Sequence, residues 1–397
     1  MAETQPQRAP RRQTRPKMPK LRARRTLLAA LLLFVGCGRS CGNDEDPMAS
    51  LKLRDWRPKT TATLRRTPID KPAFEVIDFH THLRNIKEPA RLVAKMDRIG
   101  IKMIVDLDGG VTSLKANLAR YDRAFPGRFA SFAVIDFENN IDAADWSDRT
   151  ARALDDAFRQ GARGLKIHKS LGLYIRYKSG KLMPVDDPKL DAAWRICAKH
   201  RRPVVIHTAD PAAFFEPFDK HNERWHELLE EPDWIYSGKK LYSREQLFAQ
   251  RNRLLERHPD TTFVAAHLSD NAEDLPTLAK WLDRFPNLYV DLSARLNELG
   301  RQPYSARRFL LKYQDRLLFG TDFLAFDKDR YRVYFRVLET ADEYIDTRLA
   351  NGIQGIWRTH GFYLPKAVLK KIYRDNALKL LGDDQSPHPA TSQPTQR

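Results

Sequence analysis

Val76-Ile77-Asp78-Phe79-His80-Thr81-His82-Leu83 is the stretch from which the rest of the chain can be read. Its β-branched and aromatic residues predict a short strand. Alternate side chains of a strand share a face, so His80 and His82 project together at its C-terminal end. Two neutral imidazoles meeting at a strand end can chelate a first-row divalent cation; two histidines at an exposed turn are the plain alternative. The choice between them depends on what recurs downstream.

From Phe74 onward, strand-like and helix-like segments alternate. Leu92, Val93, Met96 and Ile99 give Pro89–Gly100 a helical spacing. Further strands are predicted at Lys102–Leu107, Phe129–Phe137, Gly164–His168, Pro203–His207, Thr262–His267, Leu288–Ser293 and Arg316–Asp322. Helices are predicted between them at Ser113–Phe125, Thr150–Gln160, Leu190–His200, Arg244–Arg257, Leu275–Phe285 and Tyr304–Tyr313, and an amphipathic helix at Leu364–Leu381 closes the series. Such alternation implies parallel strands joined by crossover helices. The expected fold is α/β, a (β/α)8 TIM barrel, and residues 73–382 suffice for its usual length of about 250. An open doubly wound sheet is the runner-up. No GxGxxG follows the first strand, so a dinucleotide fold is unsupported.

The chain has 397 residues and a net charge of +18. Residues 1–25 hold nine Lys and Arg against Glu3 alone, a net of +8. In the remainder acids and bases interleave, and no basic helix or basic-aromatic module of the nucleic-acid-reading kind occurs, so no nucleic-acid partner is expected. After the basic leader comes Thr26–Val35, an apolar run too short to span a bilayer. Residues 1–36 therefore read as an export signal. Phe34-Val35-Gly36-Cys37 resembles a lipoprotein processing box with Cys37 as the lipidated residue, and Arg24-Arg25-Thr26-Leu27-Leu28 resembles a twin-arginine signal. The expectation is a protein of the cell envelope or periplasm, with a lipid anchor as one route. Residues 37–72 read as a polar linker and 383–397 as a disordered tail. Cys37, Cys41 and Cys197 make no disulfide framework, and Cys197 is expected to be a small buried apolar residue.

Polar residues recur where strands end: His80 and His82 on the first, Lys166 and His168 on the fourth, His207 on the fifth, His267 on the sixth, Asp322 on the eighth. In a closed barrel these ends converge on one mouth. Three imidazoles and a carboxylate can hold one divalent cation and lower the pKa of its bound water toward about 7.

His80-Thr81-His82, His207, His267 and Gly320-Thr321-Asp322 together resemble the pattern of the amidohydrolase superfamily, in its amidohydrolase-related branch, over roughly Phe74 to Leu381. That branch includes metal-dependent hydrolases, lactonases and nonoxidative decarboxylases. Segments such as Asn271–Leu275 and Leu317–Asp322 are similar to those of exported bacterial members. The resemblance implies His80, His82, His207 and Asp322 as metal ligands, with zinc as the expected ion. It implies Asp322 as general base as well. His267 would stand beside the metal, to polarise a substrate carbonyl or shuttle a proton. Some members bridge a second metal with a carbamylated lysine on the fourth strand. Lys166 could serve so here, with His168 beside it, or Lys166 could be a buried ion-pair partner and His168 a supporting residue.

Arg295, just past the seventh strand, could clamp a substrate carboxylate bidentately or be an ion-paired surface residue. Residues 210–238 form a long insertion with Phe214, Phe215, Phe218, Trp225, Trp234 and Tyr236, read as a lid whose aromatics pack it down. His221 and His226 in it are not expected to be ligands. A second aromatic-rich excursion, Phe323–Trp357, is expected to wall the pocket or to form a homodimer contact. Three functions compete: a hydrolase of a small-molecule amide, ester or lactone; a decarboxylase of an aromatic or unsaturated acid; and a noncatalytic envelope binding lipoprotein.

Overall fold

The computed structural model describes residues 50–383 except 53, 54, 57, 111, 112 and 349–353. The export signal, Cys37 and all but the first residue of the tail lie outside the described residues. The chain divides into two units, up to Ala62 and from Thr63; the fold below is that of the second.

Nine strand segments are β1 (Val76–Thr81), β2 (Ile101–Asp106), β3 (Phe129–Ser131), β4 (Ala133–Val134), β5 (Leu165–Ile167), β6 (Val204–Ile206), β7 (Phe263–Ala265), β8 (Leu288–Asp291) and β9 (Leu317–Leu318). All pair in parallel, β1 to β3 in one run and β4 to β9 in the other. The third predicted strand is thus two pieces, parted at Phe132, whose ring packs edge-on against Phe79 at 5.8 Å. The amide of Phe132 donates to the Asp106 carbonyl and that of Ala133 to the Gly164 carbonyl, so the ladder passes from one piece to the other. At the other edge the Phe79 amide donates to the Phe319 carbonyl at 2.9 Å and the Asp322 amide to the His80 carbonyl at 2.7 Å. The sheet is closed, which gives the TIM barrel and rules out the open alternative.

Alternation along the strands sorts two cores. Ile77, Phe79, Met103, Val105, Val205, Val264, Tyr289 and Leu318 meet inside the barrel. Val76, Ile101, Ile104, Leu165, Ile167, Val204, Ile206, Phe263, Leu288 and Leu317 face the helices. The helices Pro89–Ile99, Trp146–Gln160, Asp191–Lys199, Arg244–Arg257, Leu275–Arg284 and Pro303–Lys312 lie close to their predicted bounds. The segment expected as one helix at Ser113–Phe125 is a single α turn, Leu114–Asn117, continued by a π-helical Leu118–Arg123.

The excursion after Asp322 divides: Tyr344 is exposed, Phe326 and Trp357 are half-buried, and the aromatics of its helix belong to the core. Tyr331, Tyr334 and Phe335 lie on the helix Lys328–Glu339, are buried, and pack around Phe319 and Phe323. The end of the 37–72 stretch is also fastened to the barrel: the Thr67 amide and hydroxyl donate to Asp342 at 2.6 and 2.7 Å, and Arg332 pairs with Asp70. No helix among the described residues is long and apolar enough to cross a membrane.

Candidate metal centre

Ile77 and Phe79 point into the barrel, so unbroken alternation would turn His80 outward with Val76. The pairing of β1 with β2 slips register between Asp78 and Thr81, and such an irregularity re-aims the side chains after it. Both imidazoles then reach the mouth, with ring centroids 5.6 Å apart. Gly320 makes room for this: a Cβ there would stand 3.0 Å from the His80 Cβ and 3.2 Å from that of Ser293.

Asp322 is the carboxylate they meet. Its Oδ1 lies 3.2 Å from His82 Nε2 and 3.5 Å from His80 Nε2, and its Oδ2 lies 3.9 Å from His267 Nε2. Its side chain is 31% exposed while both imidazoles are nearly covered, so the group opens outward through this carboxylate. His80, His82 and Asp322 each offer a ligand atom within 4.8 Å of the others, as chelation of one cation requires. Burial disfavours the Asp322 carboxylate, but the hydrogen bond from His82 and the positive potential of His80, His267 and His82 outweigh it and hold the group well below the usual carboxylate range.

Each of the two imidazoles is oriented from behind. Asp291 Oδ2 accepts from His80 Nδ1 at 2.8 Å, and Asp108 Oδ1 accepts from His82 Nδ1 at 2.7 Å. A carboxylate at Nδ1 fixes the tautomer that leaves the Nε2 lone pair for a cation. Asp291 is fully buried and also accepts from the His267 and Ser293 amides, each at 3.0 Å, and from the Ser293 hydroxyl. Burial pushes the Asp291 carboxyl up, but His80 and these donors bring it below its ordinary range. For His80, burial and the charge of Lys166 lower the pKa against the pull of Asp291. For His82, Asp108 and Asp322 overcome burial and raise it.

His267 reaches the mouth by another route. His267 to Asp270 are four consecutive residues with φ between 54° and 61°, a left-handed turn that costs about 1–2 kcal/mol per residue. Buried hydrogen bonds offset the cost: Arg251 donates to the Ser269 carbonyl and hydroxyl, Arg244 to the Asp270 carbonyl, and Asp270 Oδ2 accepts from the Thr208 and Ala209 amides. The Ser293 carbonyl accepts from His267 Nδ1 at 3.1 Å. Burial and the charge of His207 hold His267 well below the normal imidazole pKa, hence neutral. With its proton on Nδ1, Nε2 is an acceptor. This geometry suits proton shuttling; polarising a carbonyl would need a proton on Nε2.

His207 ends β6 but is not in the close triad of ligand atoms. Its ring is 4.4 Å from that of His267, and its Nε2 faces Asp210 Oδ1 at 3.5 Å and Asp270 Oδ1 at 3.4 Å, so its Nδ1 is the nitrogen left without a carboxylate. Lys166 is buried, with Nζ 3.3 Å from His80 Nε2 and no carboxylate bonded to it. Burial lowers its pKa against the field of Asp322 and Asp291. His168 lies 6.2 Å, ring to ring, from His82; burial and Lys166 push it down to about 3, so it is uncharged. Arg295 is 5% exposed, contradicting a surface ion pair. Its one described hydrogen bond goes to the Ala294 carbonyl, its Nε has no partner, and the Asp270 carboxylate is 3.9 Å from Nη2. In the insertion, Phe214 and Tyr236 are buried and Trp234 stacks on Phe214, while His221 and His226 are exposed. The Lys169 ammonium, over Trp234 at 4.5 Å, ties Asp210 to the insertion, and Asp210 accepts from the Tyr236 hydroxyl.

Sequence reading missed Asp108, Asp291, Ser293, Asp270, Arg224 and Glu298. Asp291 and Asp108 do stand at or just past strand ends, the same signal that found the histidines.

The fold and this cluster define a class, a TIM barrel whose C-terminal mouth carries histidines and a carboxylate that could hold a cation. Residues 77–382 match the family model described as Amidohydrolase, and the chain belongs to that family of metal-dependent enzymes. Among solved structures it is similar to 2,6-dihydroxybenzoate decarboxylase from Rhizobium, at 15% identity and TM-score 0.50, covering 78% of this chain and 99% of that one. It is equally similar to a putative amidohydrolase from Staphylococcus aureus, at 15% identity and TM-score 0.50, covering 78% and 100%. These likenesses show the fold. A comparison with curated proteins gave no match.

Proposed function

We propose that this protein is a metal-dependent hydrolase of a small molecule that carries a carboxylate near its scissile amide, ester or lactone bond. The observation that carries the reading is Asp322, a carboxylate held ionised between two chelating imidazoles and open to the mouth. His80, His82 and Asp322 would hold one divalent ion, zinc by donor type, with His207 Nδ1 completing the set. When bound, that ion supplies Lewis acidity and acidifies water. Asp322 accepts the proton of the attacking water at its exposed oxygen. His267, neutral and fixed by Ser293, takes up and returns a proton through Nε2. Arg295, a buried cation short of partners, holds the substrate carboxylate; a buried guanidinium without an anion is costly, and a carboxylate in the mouth is the anion that fits.

Arg295 equally suits a second reading, decarboxylation of an aromatic or unsaturated acid, and a decarboxylase is among the structures of similar fold. Product analysis on the zinc-loaded protein separates the two. Incorporation of oxygen from labelled water into an acid product supports hydrolysis; release of carbon dioxide without it supports the lyase. Asp322→Asn is expected to lose activity by about three or more orders of magnitude, since it removes a ligand charge and the base together; turnover near that of the parent refutes its role. For location we propose export with Cys37 as the lipid-bearing residue, on the strength of its sequence context. Cys37→Ser is then expected to move the protein out of the membrane fraction, and unchanged fractionation refutes the anchor.

A further inference from the structure

Beneath the insertion lies a second charged cluster that the chemistry above does not use. Arg224, carried by the insertion, is 1% exposed. Its Nη1 donates to Glu227 Oε2 at 2.6 Å, and its Nη2 is paired with Glu298. Glu298 is itself buried and lies three residues after Arg295, on the short helix Leu296–Gly300. Arg295 is close enough to add to the field at both Arg224 and Glu227. Arg224, Glu227 and Glu298 thus form one ion-paired group, with Arg295 within electrostatic reach of its Arg224–Glu227 side. The pairing is unequal: Arg224 takes both glutamates, and Arg295 is left with a carbonyl and a carboxylate 3.9 Å away.

We propose that Arg224 is a positioning residue for substrate specificity: by holding Glu298 and Glu227 it keeps the Arg295 guanidinium free for the carboxylate of the substrate. The inference rests on the acidic-substrate reading above. Its logic is competition. A buried glutamate that loses its cation takes the nearest remaining one. Without Arg224 that cation is Arg295, whose donors then close on an internal carboxylate instead of an incoming one. The insertion is thereby more than a cover: it sequesters two internal anions that would otherwise occupy the anion site. Arg301, which pairs with Glu223 and stacks over Trp357 at 4.1 Å, fixes the same part of the insertion from outside.

The test uses the zinc-loaded full chain and two probes of one shape, benzoate and benzamide, with affinities measured by calorimetry. The parent is expected to prefer benzoate, and Arg295→Met to abolish the preference. Arg224→Met is expected to cut the preference by about tenfold or more while leaving benzamide binding in place. Arg224→Met combined with Glu227→Gln and Glu298→Gln is expected to restore it, because both competitors are gone; a purely structural role for Arg224, or direct contact with the carboxylate, predicts no rescue. Glu227→Gln, which leaves Arg224 to Glu298 alone, is expected to keep the full preference and covers the case in which the single Arg224 variant does not fold. No benzoate preference in the parent would refute the acidic-substrate reading itself. A parent preference that survives Arg224→Met, is not rescued in the combined variant, or is lost in Glu227→Gln would refute the role of Arg224 and leave that reading standing.

Discussion

Replacing Asp291 by Asn keeps side-chain shape and removes a charge that the structure places behind the metal centre. Asp291 spends one oxygen on the His267 and Ser293 amides and the Ser293 hydroxyl, and the other on His80 Nδ1 at 2.8 Å. An asparagine can keep the first set only with its carbonyl oxygen there, which turns its NH2 toward His80. The imidazole must then accept at Nδ1 and carry its proton on Nε2, the atom that faces Asp322 at 3.5 Å. The lone pair a cation needs is lost. The reverse rotamer saves His80 and confronts two amide donors with a third donor. Loss of an orienting partner of this kind lowers metal affinity about 10- to 100-fold, or about 1.4–2.7 kcal/mol. Competition against a chromogenic chelator measures it, with circular dichroism to show that the fold is intact. An affinity within about threefold of the parent's would refute the orienting role, since a change that small is within the scatter of substitutions that break nothing.

Other consequences follow from the same contacts. Cys197 is fully buried and burial pushes its thiol up, so a thiol reagent at neutral pH should leave it unmodified until denaturant is added; rapid labelling of the native protein would contradict the packing. At Asp342 burial opposes ionisation, but the Thr67 amide and hydroxyl and Arg336 outweigh it and hold the carboxyl below its ordinary value. A depressed carboxylate stabilises the fold above its unfolded pKa of about 4 and loses that contribution as pH falls toward its folded pKa. Asp342→Asn should therefore cost about 1–2 kcal/mol at pH 7 and progressively less as the pH drops below about 4; a pH-independent difference in melting temperature would refute the assignment. Arg251→Met removes two donors from the left-handed turn that carries His267 and should weaken both stability and activity; full activity would show that the turn holds itself.

Much of the barrel was legible because strand-like and helix-like segments alternate along the chain, and polar residues at the strand ends marked Lys166, His168, His207 and Asp322. His80 and His82 were found for an incomplete reason. Their spacing was read as unbroken strand geometry, whereas a register slip is what turns them into the mouth. His267 depends on a left-handed turn of four non-glycine residues, which no propensity foretells. The supporting carboxylates were invisible for another cause: Asp108 and Asp291 act on imidazoles 26 and 211 residues away in sequence, and only the closed barrel brings them together. The insertion was readable from its length and aromatics, but the pairing of Arg224 with Glu298 joins segments whose proximity only folding determines.

Metal analysis of the purified full chain tests the central claim most directly. About one tightly held divalent ion per chain is expected in the parent, and essentially none in a folded His80→Ala/His82→Ala variant. A natively folded parent that retains no ion when supplied with zinc, or a double variant that binds it as well as the parent, would contradict the site.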